Sequence, residues 1–354
     1  MKPEYTLPAE WAAQSAVMLT WPHPNTDWAK HLEEVEQVYL AISQQVTRFQ
    51  QLLVVCNSID HQHSVCNKLT CHKIDLDRVR FAVAPSNDTW ARDHAPLTCL
   101  NDEEALLLNF QFNGWGGKYP ADLDNQINPI LFKNGVFGNT PHHSVPMILE
   151  GGAVETDGLG TLLATRSSVL TQSRNPTLSV DQVEALLSKE MGFDRYLWLE
   201  HGHLSGDDTD GHIDTLVRFS DPATLLYATA TQDDPDFPEL EAMAAELRAF
   251  RQRNGEAYRL IPLPAIPPIT DDSGERLPAG YANFLIINHA LLLPVYNIEQ
   301  DAEAIRCLQD CFPDREIIPI DCSPLIRQNG SLHCITMQFP EQVKLITSGL
   351  KHSA

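Results

Sequence analysis

Cys334 stands in the stretch NGSLHCITMQFP, directly after His333 and four residues after Gly330. A thiolate is a strong nucleophile, so the stretch raises covalent catalysis at once. A lone thiol is more often buried and inert, and this chain carries eight cysteines. Only other groups of complementary chemistry can set Cys334 apart. If GSLHCITMQ is extended, His333 and Cys334 point to opposite faces, so a distant histidine has to serve the thiol.

Three further stretches supply candidates. HGHLSGDDTDGHIDTLVRF holds His201, His203, Asp207, Asp208, Asp210, His212 and Asp214, the densest polar cluster in the chain. Read as the opening of a strand, His212 and Asp214 share one face at i and i+2. In LEGGAVETDGLG, Glu150 ends an apolar run just before Gly151 and Gly152, where a backbone or ligand can approach closely. A tight hairpin turn over 157–160 accounts for Gly158 and Gly160 but not for that acid. NDTWARDHAP places Asp88 and Asp93 on either side of Trp90 in a loop between strands.

Three chemistries fit these groups. A thiol nucleophile with a histidine acid–base and carboxylates would act on a cationic, planar group. His201, His203 and His212 with neighbouring aspartates would suit a zinc or iron hydrolase. The same acids without catalysis would make a binder of polyamine-like cations. An EF-hand is excluded by the aspartate spacing.

The elements that must carry these residues show a recurring pattern. Leu32, Val35, Tyr39, Ile42, Val46 and Phe49 recur at three- and four-residue intervals, which predicts a helix leading into the strand LLVVC. The order repeats: residues 60–72 before VRFAVAP, VDQVEALLSKEMG before RYLWLEH, FPELEAMAAELRAFRQRNG before YRLIPLP, and EQDAEAIRCLQDCF before REIIPID. Polar loops follow four of these strands, including PAIPPITDDSGERLP. Loops leaving successive strands suggest convergence at one end of a closed or propeller-like α/β body. An open doubly wound sheet is the competing arrangement, but no GxGxxG follows any strand.

Composition narrows the partners. The 354 residues include 25 basic and 47 acidic side chains, a net charge of −22. Such a chain offers no footprint for nucleic acid or anionic membrane, and a cation is its natural ligand. The N-terminus lacks the features of a signal peptide, and no stretch has the length of a membrane span. Irregularly spaced cysteines without a CxxC pair read as reduced thiols of a cytoplasmic protein, with no structural zinc site. The sequence is compatible with a homo-oligomer.

In chain order, LPAEWAAQSAVMLTWPH, NDTWARD, FNGWGGKY, LEGG, RNP at 174–176, GHID and the late HC resemble the guanidino-group-modifying enzymes of the pentein superfamily, most closely the agmatine deiminases. The resemblance spans nearly the whole chain. It implies a five-bladed α/β propeller of pseudo-fivefold ββαβ units, with residues 1–354 forming a single catalytic domain. It implies Cys334 as nucleophile, His212 as general acid and base, and Glu150 orienting and charge-stabilising His212. Asp93 and Asp214 would grip the guanidinium, with Trp90 and Trp115 packed near the substrate. Asp88 and Asp208 fall in matching motifs, and Gly330 would keep the approach to the thiol open. No metal and no organic cofactor is expected.

The implied reaction is hydrolysis of agmatine to N-carbamoylputrescine and ammonia, a step of polyamine and putrescine biosynthesis, through a covalent amidino-cysteine. The alternative is a deiminase or amidinotransferase acting on arginine or peptidyl-arginine. Gripping carboxylates should raise the pKa of Cys334, while a cationic substrate and His212 lower it. The thiolate is therefore expected to form chiefly when substrate arrives, with a preformed ion pair with His212 as the alternative.

Overall fold

In this computed structural model the described residues are 4–346, so residues 1–3 and 347–354 of the expected domain lie outside them. The fold is mixed α/β. Its strands form five small sheets with one recurring topology. In chain order the strands are β1 (Gln14–Thr20), β2 (Gln51–Cys56), β3 (Val79–Val83), β4 (Leu97–Leu100), β5 (Ala105–Gln111) and β6 (His142–Ile148). There follow β7 (Glu155–Thr156), β8 (Thr161–Thr165), β9 (Arg195–Leu199), β10 (Val217–Asp221) and β11 (Thr224–Tyr227). The last are β12 (Arg259–Pro262), β13 (Leu285–Ile287), β14 (Ala290–Val295), β15 (Glu316–Asp321) and β16 (Thr336–Pro340).

Each sheet contains an antiparallel pair and a parallel strand reached through a helix, as in β4–β5–β6 and β13–β14–β15. A parallel neighbour needs such a crossover, because a tight turn can only reverse the chain. In the first sheet the antiparallel partner of β1 is β16, so the end of the described chain returns to its beginning. That sheet also gains β3, parallel to β2.

Side chains explain why these elements form. Val35, Tyr39, Ile42 and Val46 are fully buried on the helix Leu32–Phe49, and the flanking Leu32 and Phe49 are half-buried at its ends. The helix Val180–Met191 starts in a reciprocal Ser179–Gln182 capping box and ends at left-handed Gly192. Alternate residues of β1 and β2 enter two different cores: Val17, Leu19, Leu52 and Val54 one, Ala16, Met18, Leu53 and Val55 the other. Both faces are covered, which is why LLVV reads as an unbroken apolar run. The hairpin of β7 and β8 turns over 157–160 as expected, with Gly158 and Gly160 at positive φ.

One unit escapes the sequence pattern, and one expected unit falls elsewhere. The helix Asp124–Lys133 leads to β6, but Pro129 interrupts its helical signature and β6 has exposed residues at His142, His143 and Ser144. Residues 60–72 and VRFAVAP are instead an addition to the first sheet. No helix among the described residues is long and apolar enough to cross a membrane.

Candidate active site

Loops that leave the sheets at separate points of the chain meet around Gly152. Glu150 precedes a single 3-10 turn, Gly151–Ala153, and His212 precedes another, Ile213–Thr215. His212 and Asp214 therefore sit in a tight turn rather than in the strand expected of them; β10 begins only at Val217. A Cβ on Gly152 would stand 2.5 Å from His212 Nδ1, 3.0 Å from Asp93 Oδ1 and 3.1 Å from Asp214 Oδ2. Only a residue without a side chain lets the three groups close on that backbone.

Asp93 lies on the short helix Ala91–His94 and is held at both oxygens. Gly152 N–H donates to its Oδ1 at 3.0 Å, and the Trp115 indole N–H to its Oδ2 at 3.0 Å. Trp115 reaches this position from a turn of left-handed backbone, with φ 54° at Trp115 itself, flanked by glycines at positive φ. Such a conformation in a non-glycine residue is costly and is typical of functional sites. His212 Nδ1 approaches Asp93 Oδ1 at 3.7 Å, beyond hydrogen-bonding distance.

Among the buried side-chain atoms without a protein partner are His212 Nε2 and Asp214 Oδ1. Leaving such groups unpaired is expensive, and both can pair with polar atoms of a ligand or water. The other oxygen of Asp214 contacts His333 Nδ1 at 2.7 Å.

Cys334 sits in a turn over 332–335, not on an extended segment, with β16 starting at Thr336. The extended reading failed because Thr336 Oγ1 and N–H cap the carbonyls of Leu332 and His333 and bend the chain. His333 still does not serve the thiol: its ring nitrogens contact Asp214 and Glu10. The Cys334 thiol instead donates to Asn283 Oδ1 at 3.4 Å. Its carbonyl accepts from Arg92 N–H at 3.0 Å, which ties the cysteine turn to the helix that carries Asp93.

Charge and burial set the ionisation of these groups. Burial, then Asp214 and Asp93, push the Cys334 thiol well above its ordinary pKa, against its hydrogen bonds with the Ser331 backbone and Asn283. Burial also lifts the Asp93 carboxyl to about 6, with His212 opposing and Asp214 and Glu150 assisting. At Asp214 burial acts in the same sense, but the His333 hydrogen bond and charge, with His212 and Arg218, outweigh it and hold the carboxyl below its usual value.

Above Cys334 opens a cavity of about 270 Å³ lined by Asp27, Asp88, Trp90, Asp93, Trp115, Tyr119, Asp208, Thr209, Arg327, Gln328, Asn329 and Gly330. Of the residues expected at the site, Cys334, Asp93, Trp90, Trp115, Asp88, Asp208 and Gly330 line it. His212, Asp214 and Glu150 do not; they are almost fully buried behind the wall. Asp88 accepts the indole N–H groups of Trp28 and Trp90 at 2.9 and 3.0 Å, and burial raises its carboxyl to about 6. Asp208 Oδ2 accepts from Tyr119 Oη–H at 2.6 Å and from Asn329 Nδ2 at 2.5 Å. At Gly330 a Cβ would overlap the Trp90 ring, so the glycine lets the indole pack against this backbone.

Glu150 also differs from expectation. Among the described residues its hydrogen bonds come from Arg174 Nε, at 2.8 and 3.0 Å, and none joins it to His212. Arg174 is itself fully buried and donates onward to Asp210 Oδ2 at 2.7 Å and the Thr209 carbonyl at 2.8 Å. A fully buried carboxylate needs such a counter-charge, and the guanidinium fork reaches three partners at once. His201 and His203 do not join His212: His201 contacts Glu239 at 3.1 Å, and His203 is exposed. No group of three or more His, Cys, Asp or Glu among the described residues is arranged to hold a metal ion.

Sequence reasoning missed Asn283, Tyr119, Asn329 and Asp27, and gave Arg174 no place at Glu150. FNGWGGKY and RNP marked two of them, whereas Asn283 has no local signal. The PAIPPITDDSGERLP loop stays outside the cavity; Arg276 pairs with Asp234 at 2.6 Å, and the loop's backbone lies against Gly206.

The chain is similar to known proteins over most of its length. Residues 6–340 match the model of the Porphyromonas-type peptidyl-arginine deiminases. The chain belongs to that family. An agmatine deiminase of Pseudomonas syringae is 30% identical to this chain over 365 residues, covering 96% of each. A C. jejuni agmatine deiminase, solved as a cysteine-to-serine variant with substrate bound, is 33% identical with a TM-score of 0.87, covering 96% of this chain and 97% of that one. A Porphyromonas gingivalis structure provisionally described as an arginine deiminase is 44% identical with a TM-score of 0.88, covering 96% of this chain and 99% of that one. The protein is thus an enzyme of the deiminase family.

Proposed function

We propose that the protein hydrolyses agmatine to N-carbamoylputrescine and ammonia through a covalent amidino adduct of Cys334. The carrying observation is the Cys334 thiol at the base of a carboxylate-lined cavity, with Asp214 Oδ1 buried and unpaired beside it. A guanidinium has five planar N–H donors and keeps its charge at ordinary pH, so Asp93 and Asp214 match it as a fork and set its carbon over the sulfur. Its charge offsets the two anions that suppress the thiolate, and Cys334 ionises as the substrate seats.

The Cys334 sulfur then adds to the guanidinium carbon. The tetrahedral adduct collapses by breaking one C–N bond, and His212 delivers the proton that lets the nitrogen leave as ammonia. His212 next takes a proton from water as its oxygen attacks the amidino carbon, and the C–S bond breaks to give the ureido product and Cys334. Glu150 acts on His212 through its charge, held in place by Arg174. Asp27, Asp88 and Asp208 at the cavity favour a second cation at the far end of the substrate. We read the five sheets as blades about a pseudo-fivefold axis, forming one catalytic domain of a cytoplasmic enzyme of polyamine synthesis.

A second reading, arginine deimination, is favoured by Arg327, which lines the same cavity and could receive an α-carboxylate, although it already pairs with Glu34 at 2.7 Å. Ammonia release measured with agmatine, arginine and a peptidyl-arginine separates the readings. Agmatine should give the highest kcat/KM; faster turnover of arginine would replace the first reading with the second. Cys334→Ser should bind agmatine yet release no ammonia, and turnover in that variant would refute the covalent step.

A further inference from the structure

His333 and the N-terminal LPAEW motif have no part in the chemistry above, yet the fold brings them together behind the site. Glu10 lies ahead of β1, and its side chain is 8% exposed. Its Oε1 accepts from Ile286 N–H at 2.7 Å, and its Oε2 from Arg218 Nη2 at 2.7 Å. The same Oε2 contacts His333 Nε2 at 2.8 Å, and the opposite ring nitrogen contacts Asp214 Oδ2 at 2.7 Å. Arg218 is completed by Glu155 and by the carbonyls of Ala282 and Phe284.

Two nitrogen–oxygen contacts of this length need two protons, because an ionised carboxylate only accepts. A neutral imidazole brings one. The Asp214–His333–Glu10 trio therefore calls for a second proton among its three groups; burial, Arg218 and Arg92 lower the pKa of the His333 ring, while Glu10 and Asp214 favour the proton there. Asp93 is the internal comparison. It is also buried and closes on the same Gly152, but its oxygens are met by the Gly152 amide and the Trp115 indole, with no cation within hydrogen-bonding distance. Its carboxyl is pushed up to about 6 while that of Asp214 is held low.

We propose that His333 is a positioning residue for substrate capture: anchored by Glu10 at one nitrogen, it fixes Asp214 with its second oxygen free for the guanidinium. The backbone assists, since His333 N–H donates to Asn283 Oδ1 at 2.9 Å, the atom that also receives the Cys334 thiol. The N-terminal segment is thereby part of the binding machinery, although Glu10 and Asp214 are remote in sequence. This inference rests on the deiminase reading of the site.

The test uses the full chain with His333→Leu, His333→Asn and Glu10→Gln, each checked for a cooperative unfolding transition. KM and kcat are measured by ammonia release from agmatine, or from arginine if that is the better substrate. His333→Leu removes the donor to Asp214 and should raise KM by about tenfold to a hundredfold, the range for one hydrogen bond to a charged group. Its kcat should fall less than KM rises. His333→Asn restores an N–H near the position of Nδ1 and should recover most of the loss. Glu10→Gln keeps the shape, removes the anchoring charge, and should raise KM about tenfold. Wild-type KM in folded His333→Leu overturns the proposal, as do equal losses in His333→Leu and His333→Asn. If His333→Leu does not fold, an unchanged KM in Glu10→Gln overturns it. A wild-type protein that hydrolyses no guanidine refutes the deiminase reading itself, a result distinct from these.

Discussion

Gly152→Ala puts one methyl group into the point where the site converges. The new Cβ would stand 2.5 Å from His212 Nδ1, which is about 1 Å inside ordinary contact. Asp93 Oδ1 at 3.0 Å and Asp214 Oδ2 at 3.1 Å close the other directions, so no side chain can yield without displacing another. Gly152 is not among the positive-φ residues, so the backbone tolerates alanine and the effect comes from displacement. Overpacking of this kind costs about 1–3 kcal/mol of stability, which a domain survives. Catalytic geometry is less forgiving, and a displacement of about 1 Å costs on the order of a hundredfold in rate. Ammonia release from agmatine should therefore fall by about a hundredfold in kcat/KM, while thermal unfolding remains cooperative and shifts by only several degrees. A folded Gly152→Ala enzyme with wild-type kcat/KM would show that His212, Asp93 and Asp214 need not be held together, and the proposed site would be wrong.

Four other outcomes are expected. Alkylation of Cys334 by iodoacetamide without substrate, followed on its own peptide by mass spectrometry, should accelerate about tenfold per pH unit from roughly pH 7 to 9. The sign follows from the raised thiol pKa, below which the thiolate fraction grows with pH; a plateau near neutrality would mean a resting thiolate. Asp93→Asn removes one of the anions that raise it and should speed that alkylation by about tenfold. Arg174→Met leaves the fully buried Glu150 carboxylate without its counter-charge and should cost about 3–5 kcal/mol in urea unfolding; a loss below about 1 kcal/mol would mean that Glu150 finds another partner. Asp208→Asn should raise KM for agmatine by about threefold with kcat retained, as for a partly exposed charge acting across the cavity; an unchanged KM would remove Asp208 from tail recognition.

The amphipathic helix Leu32–Phe49, the doubly buried runs of β1 and β2, and the 157–160 turn were legible because each depends on spacing along a few residues. The recurring helix-then-strand order likewise indicated a mixed α/β body with loops gathered at one end. Where a local signal was weak, as at Pro129 and in half-exposed β6, a unit was missed. Motif order pointed to most of the cavity lining, including Cys334, Asp93, Trp90 and Trp115.

Residue type and short-range periodicity thus determined the elements, the acidic character and the candidate groups, since these depend on chemistry carried by each residue and its near neighbours. Which group faces which was decided in three dimensions. Glu150 meets Arg174 instead of His212, the thiol meets Asn283, and His333 turns from its neighbour Cys334 to join Asp214 with Glu10. Buried charges take the partner that the packing of distant loops brings within about 3 Å, because in a poorly solvated interior the unpaired alternative is the most costly. That competition is settled by the whole fold and leaves no mark in the spacing of any one segment.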